Sequence, residues 1–205
     1  MGQDDDRDQK DAPLKPSGKG PVSEAHEPVL RNLLRRGRRQ LERAQAADDE
    51  FGNGLVALYE KRYAEAIRLF DAVLRSDPDR ADARYYLGLT RFMEGDYDAA
   101  VADFAAAIEG GYGEAYVVQT LADALFLLER YEEAVEAYRV ALKREKTAEG
   151  YARMAQALSL LGQRNEAVDA YKEALMLKLA GLGSMQGTPD IEPEEPSDPE
   201  DDGAE

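Results

Sequence analysis

Residues 81–104 read Ala-Asp-Ala-Arg-Tyr-Tyr-Leu-Gly-Leu-Thr-Arg-Phe-Met-Glu-Gly-Asp-Tyr-Asp-Ala-Ala-Val-Ala-Asp-Phe. The stretch predicts two short helices meeting at Gly95-Asp96. The first ends near Glu94, where Gly95 suits a left-handed C-cap. Asp96 suits the N-cap of the second.

Working outward, the same arrangement recurs. Tyr63-Ala-Glu-Ala66, Tyr97-Asp-Ala-Ala100 and Tyr131-Glu-Glu-Ala134 place their last alanines 34 residues apart, and Arg164-Asn-Glu-Ala167 follows 33 further on. Four residues after each alanine comes an aromatic: Phe70, Phe104, Tyr138 and Tyr171. Val73, Ala107, Ala141 and Ala174 continue that face. Twelve residues before each alanine sits a small residue: Gly54, Gly88, Ala122 and Ala155. Leu87, Leu121 or Met154 precedes three of these, and Asn53 precedes the first. The small residue and the alanine let two antiparallel helices approach closely, and the aromatic fills the gap to the next pair. One pair cannot bury its apolar face by itself, so the pairs must stack. Pro78 closes the first unit, because it cannot continue the helix before it.

This pattern resembles the tetratricopeptide repeat family over residues 47–181. The repeats divide as 47–80, 81–114, 115–147 and 148–181. The second matches best, with Tyr85-Tyr-Leu-Gly88, Gly95-Asp-Tyr97, Ala100 and Phe104. The family's closing proline is present only as Pro78; Gly110-Gly-Tyr-Gly113 stands near its place after the second repeat, as a longer turn or a hinge. The resemblance implies an all-α fold, a right-handed α-solenoid of four helix pairs, and a protein-binding function.

The flanks differ in composition. The net charge of −16 is unevenly spread. Residues 1–46 carry ten basic and eight acidic residues (+2), residues 47–181 sixteen and twenty-five (−9), and residues 182–205 none and nine (−9). Residues 1–26 and 182–205 lack apolar periodicity and read as disordered segments, the second strongly acidic. Ser17-Gly-Lys-Gly20 only superficially suggests a phosphate loop, lacking the first glycine and the flanking strand and helix. Residues 27–46 read as a basic amphipathic helix. Pro28 suits its first turn, and Leu30, Leu33, Leu34, Leu41 and Ala44 form one stripe. Arg31, Arg35, Arg36, Arg38, Arg39 and Arg43 occupy much of the remainder. This helix either caps repeat one or docks a partner; nucleic-acid or membrane-surface tethering is the third reading. The acidic body and tail repel nucleic acid and anionic lipid, which makes nucleic acid an unlikely partner.

In the family's architecture the first helix of each pair lines the concave face. The corresponding residues here are Phe51, Leu55, Leu58 and Tyr59 in repeat one and Tyr85, Tyr86, Leu89, Phe92 and Met93 in repeat two. Repeat three offers Tyr116, Gln119, Thr120, Asp123 and Phe126, and repeat four the more polar Arg153, Gln156 and Ser159. Tyrosines suit recognition, offering large area, few rotors and a polar tip. About half of the aromatics are expected in inter-repeat packing instead. Asp82 and Asp123 are expected to add negative charge near the groove. The implied ligand is an extended or helical peptide with apolar anchors, with or without basic flanks. The carboxylate clamp of chaperone-binding tetratricopeptide domains is disfavoured, because its places hold Phe51, Leu55, Tyr86, Tyr116 and Thr120. Asp82-Ala-Arg-Tyr-Tyr-Leu-Gly-Leu89 is similar to the second repeat of class II type III secretion chaperones, which hold apolar translocator segments. A chaperone for an apolar client is therefore the alternative to an adaptor. That family usually has three repeats and lacks so long an acidic tail.

No catalytic constellation is visible. The only histidine is His26 and there is no cysteine, so neither a thiol nucleophile nor a His/Cys metal set exists. No enzyme activity, cofactor, metal site or small-molecule substrate is expected; the acidic tail would bind cations only weakly. Lack of cysteine fits a reducing compartment. No secretory signal or membrane-spanning run appears, so a cytoplasmic monomer or homodimer is expected.

Overall fold

The computed structural model describes residues 49–183. The sequence-predicted segment 1–26, the helix 27–46 with its six arginines, and the acidic tail from 184 onward lie outside the described residues. Those described form α1 (Glu50–Tyr59), α2 (Tyr63–Ser76), α3 (Ala81–Glu94), α4 (Tyr97–Glu109), α5 (Ala115–Leu127), α6 (Tyr131–Arg144), α7 (Ala148–Leu160) and α8 (Arg164–Gly183). No strand occurs among them. Each helix packs chiefly on its neighbours in sequence, which is the connectivity of a solenoid.

Local chemistry sets the helix ends. The Asp49 side chain accepts from the Gly52 amide at 2.6 Å to start α1. Asp96 accepts from Ala99 at the start of α4, and Thr147 from Gly150 at the start of α7. The turn inside each pair repeats one motif: a residue in the left-handed region, then an amide bonded to the carbonyl five residues back. Lys61, Gly95, Glu129 and Gly162 take positive φ at corresponding places. The following amides of Arg62, Asp96, Arg130 and Gln163 bond to the carbonyls of Ala57, Arg91, Leu125 and Leu158. The glycine-rich joint after α4 is a turn of the same kind. Gly111 has φ 92°, and the Tyr112 amide bonds to the Ala107 carbonyl.

Packing follows the small-residue register. A Cβ on Gly54 would stand 2.8 Å from the Phe70 ring, and one on Gly88 would stand 2.8 Å from the Asp103 Cβ. Ala66, Ala100 and Ala134 are fully buried, as are Phe70, Phe104 and Tyr138. Burying each such aromatic is worth about 1.5–3 kcal/mol. The apolar interior forms two clusters that meet at α5. Val117 and Ala124 belong to the cluster of α1–α4, and Ala122 and Leu125 to that of α6–α8.

The far end is open. Val135, Tyr138 and Leu142 on α6 are buried. Their counterparts 33 residues on, Val168, Tyr171 and Leu175 on α8, are about half exposed, and Leu179 extends the stripe. Among the described residues no helix is long and apolar enough to cross a membrane.

Candidate protein-binding groove

The first helices of the pairs approach one another directly, α1 touching α3 and α5 touching α7. Elements that converge in a stack lie on its inner radius. That inner layer is the candidate groove.

Its aromatic side chains divide between packing and surface. Tyr85 and Tyr86 are adjacent in sequence and therefore point about 100° apart on the helix. Tyr86 stacks on Phe70 at 6.0 Å and meets the edge of Phe51 at 5.7 Å. Tyr85 turns the other way, to Phe104 at 5.7 Å, Tyr112 at 5.4 Å and Tyr116 at 5.7 Å. Leu55, Tyr85, Tyr86, Leu89, Phe92 and Met93 are all buried; Leu58 and Thr120 are buried as well. These residues, read from the sequence as groove surface, are buried in this structure. Phe92 packs on Tyr97 and Phe104, and Thr120 donates its hydroxyl to the Tyr116 carbonyl.

Phe51, Tyr59, Tyr116, Gln119 and Phe126 are half-buried and retain accessible surface. The Arg80 guanidinium lies 4.1 Å from the Phe51 ring centroid, a cation–π arrangement. Tyr116 donates to the Tyr112 hydroxyl at 2.8 Å, and burial pushes the Tyr112 phenol up to about 12. Tyr112 was not singled out from the sequence; its place in a glycine-rich turn gave no periodic signal. Phe126 meets the Tyr131 ring edge-on at 5.4 Å. Beyond it, Gln156, Ser159 and Leu160 on α7 are exposed.

The charges are arranged otherwise than the sequence suggested. Asp123 is buried, accepting from the Tyr138 hydroxyl at 2.6 Å with Arg153 Nε at 3.5 Å. Burial pushes its carboxyl up to about 6, against the pull of Arg153 and Tyr138. Asp123 therefore adds no exposed negative charge, and serves as a tie among α5, α6 and α7. Asp82 is partly exposed and bonded to Arg80 Nε at 3.0 Å. Asp103 on α4 is also buried, 2.6 Å from Arg91 Nη1 and 3.8 Å from Arg84 Nη1. Burial raises its carboxyl despite both guanidinium groups. No group of metal-ligating side chains occurs among the described residues. The surface left to the inner layer is thus aromatic and amide-rich, suited to contact with a polypeptide.

No curated protein matches the sequence. Among solved structures, the crystal structure of MamA is similar, with 20% identity and a TM-score of 0.64 over 78% of this chain and 98% of that one. The 41-to-end form of MamA from Desulfovibrio magneticus RS-1 is 17% identical, with a TM-score of 0.61 over 78% and 98%. At such identities the likeness is one of fold. Tetratricopeptide repeat models match residues 51–115, 115–147 and 148–180. With eight helices among the described residues in the repeat's pairing and register, the chain belongs to the tetratricopeptide repeat family, a family of protein-interaction scaffolds.

Proposed function

We propose that this chain is an adaptor that holds a partner polypeptide along the inner layer of first helices and so helps assemble a multiprotein complex. The observation that carries the reading is the set of half-accessible aromatic side chains on two of the first helices, Phe51 and Tyr59 on α1 and Tyr116 and Phe126 on α5. Such side chains bring large contact area at low rotamer cost. Gln119 supplies an amide between them, and the exposed Gln156 and Ser159 continue the line in polar form. The partner chemistry that fits is a peptide or helix with apolar anchors and hydrogen-bonding flanks.

The test compares the full chain with its Tyr116→Ala, Phe126→Ala variant as bait in a quantitative pull-down from the source cell. Both substitutions fall on half-buried residues, so helical circular dichroism should be unchanged. The expected result is a defined polypeptide captured by the wild type and lost by the variant. Equal capture by both folded proteins sinks the groove assignment.

A further inference from the structure

Exposure along the inner layer differs sharply between the first repeats and the last. Corresponding residues of the four first helices are Leu55, Leu89, Asp123 and Gln156, and, four residues on, Tyr59, Met93, Leu127 and Leu160. Leu89 is 0% and Met93 1% exposed, whereas Leu160 is 58% exposed and Gln156 is open to solvent. Leu89 and Met93 share a helix face with Asp82, which keeps about a third of its side-chain surface accessible. That face lies between Tyr86, which looks to α1, and Tyr85, which looks to α5. It is the inner line of the stack. On α1, the first described helix, Leu55, Ala57 and Leu58 are buried together with Gly52 and Gly54, so buried positions run most of the way round it. Its described packing partners are α2 and α3. At these positions repeats one to three are buried or half-buried, and repeat four is open to solvent.

We propose that residues 28–46 of the same chain occupy the groove over repeats one to three and that a partner must displace them. This rests on the groove reading above and adds its regulation. Four observations select the occupant. The segment carries a leucine stripe at helical spacing, Leu30, Leu33, Leu34 and Leu41. A helix of this length extends roughly 28 Å at 1.5 Å per residue, and first helices in contact at about 8–10 Å make that span three repeats. Residues 47–49 join it directly to α1, a connection of about 10 Å at most, so it starts beside repeat one. Its six arginines and one glutamate give +5 against −9 for residues 47–181. The acidic tail fails each criterion. It follows α8 at the opposite end, and Met185 and Ile191 are its only large apolar residues after residue 183. The displacing partner is then a helix with leucine-like anchors at three- and four-residue spacing, matching the segment it replaces.

Because the chain has no cysteine, single introduced thiols report accessibility cleanly. In the full chain, Met93→Cys should react slowly with a maleimide and Leu160→Cys quickly. Adding Leu33→Asp and Leu34→Asp should speed the thiol at 93 by about tenfold or more, the effect of removing a local cover, and leave that at 160 unchanged. An unchanged rate at 93 in a protein that keeps its helical signal overturns the proposal. A second measurement does not depend on the double variant folding. Pairs joining Leu34→Cys or Leu41→Cys to Leu55→Cys or Met93→Cys should include one that forms a disulfide within the monomer on mild oxidation. Failure of all four pairs, or disulfides only between two chains, also overturns it. Neither readout uses a partner, so a negative result here leaves the pull-down test of the groove standing.

Discussion

Tyr138 on α6 donates a 2.6 Å hydrogen bond to Asp123 on α5, and Arg153 on α7 approaches the same carboxylate oxygen at 3.5 Å. Three helices are thus tied by one buried acid. Burial lifts the Asp123 carboxyl from 3.8 to about 6, so this group favours folding fully below pH 4. That contribution is lost as pH rises through 6. A shift of that size corresponds to on the order of 3 kcal/mol. Asp103, also raised, acts in the same direction; the exposed Glu133, lowered by Arg130, acts oppositely. Urea unfolding should show wild-type stability falling between pH 4 and pH 7 relative to Asp123→Asn. Parallel pH profiles for the two proteins refute the assignment.

Replacing Tyr138 by phenylalanine removes the hydroxyl donor and keeps the ring. The buried acid then loses its shortest hydrogen bond, which costs about 1–3 kcal/mol. The loss should be greater at pH 7 than at pH 4, because the charged form has more need of a donor. Chemical denaturation at the two pH values measures the difference.

Gly88→Ala should destabilise by about 1–3 kcal/mol through overpacking, since the new methyl meets the Asp103 Cβ at 2.8 Å. Gly54→Ala meets the ring edge of Phe70 instead, which can tilt, so its penalty should be the smaller. Thermal melts of the two variants should fall in that order.

The four intra-pair turns share a left-handed residue, yet two of them use a side chain-bearing one. Lys61→Gly and Glu129→Gly relieve a conformation that disfavours Cβ and should stabilise by up to about 1 kcal/mol. Gly95→Ala and Gly162→Ala should do the reverse. A set of four melting curves with no such sign pattern would count against the shared turn.

The stripe on α8 gives a sharper contrast. Leu175→Glu should leave the melting temperature nearly unchanged, since Leu175 is more than half exposed. Leu142→Glu, at the corresponding place one repeat earlier, buries a carboxylate and should cost several kcal/mol. Circular dichroism melts of the pair suffice.

The repeat could be read from the chain because its determinants are local and periodic: the alanines at 66, 100 and 134 are buried, and Gly95 takes the left-handed cap its sequence suggested. The groove was harder to read. A first helix in this stack is contacted on several sides, so an apolar stripe does not distinguish inner surface from packing. Tyr85 and Tyr86 illustrate this, since both were candidates and each instead joins a different neighbouring repeat. Asp123 looked like a surface charge because its partners, Tyr138 and Arg153, lie 15 and 30 residues away. Nothing in the spacing links the three before the chain is folded.

The division of the interior at α5 bears on how the molecule comes apart. With two apolar clusters sharing one helix, α7 and α8 can detach while the first two repeats keep their interior intact. Amide hydrogens in the last pair should then exchange well before those of α3 and α4. The protein would yield stepwise from its carboxyl end, as a zipper does.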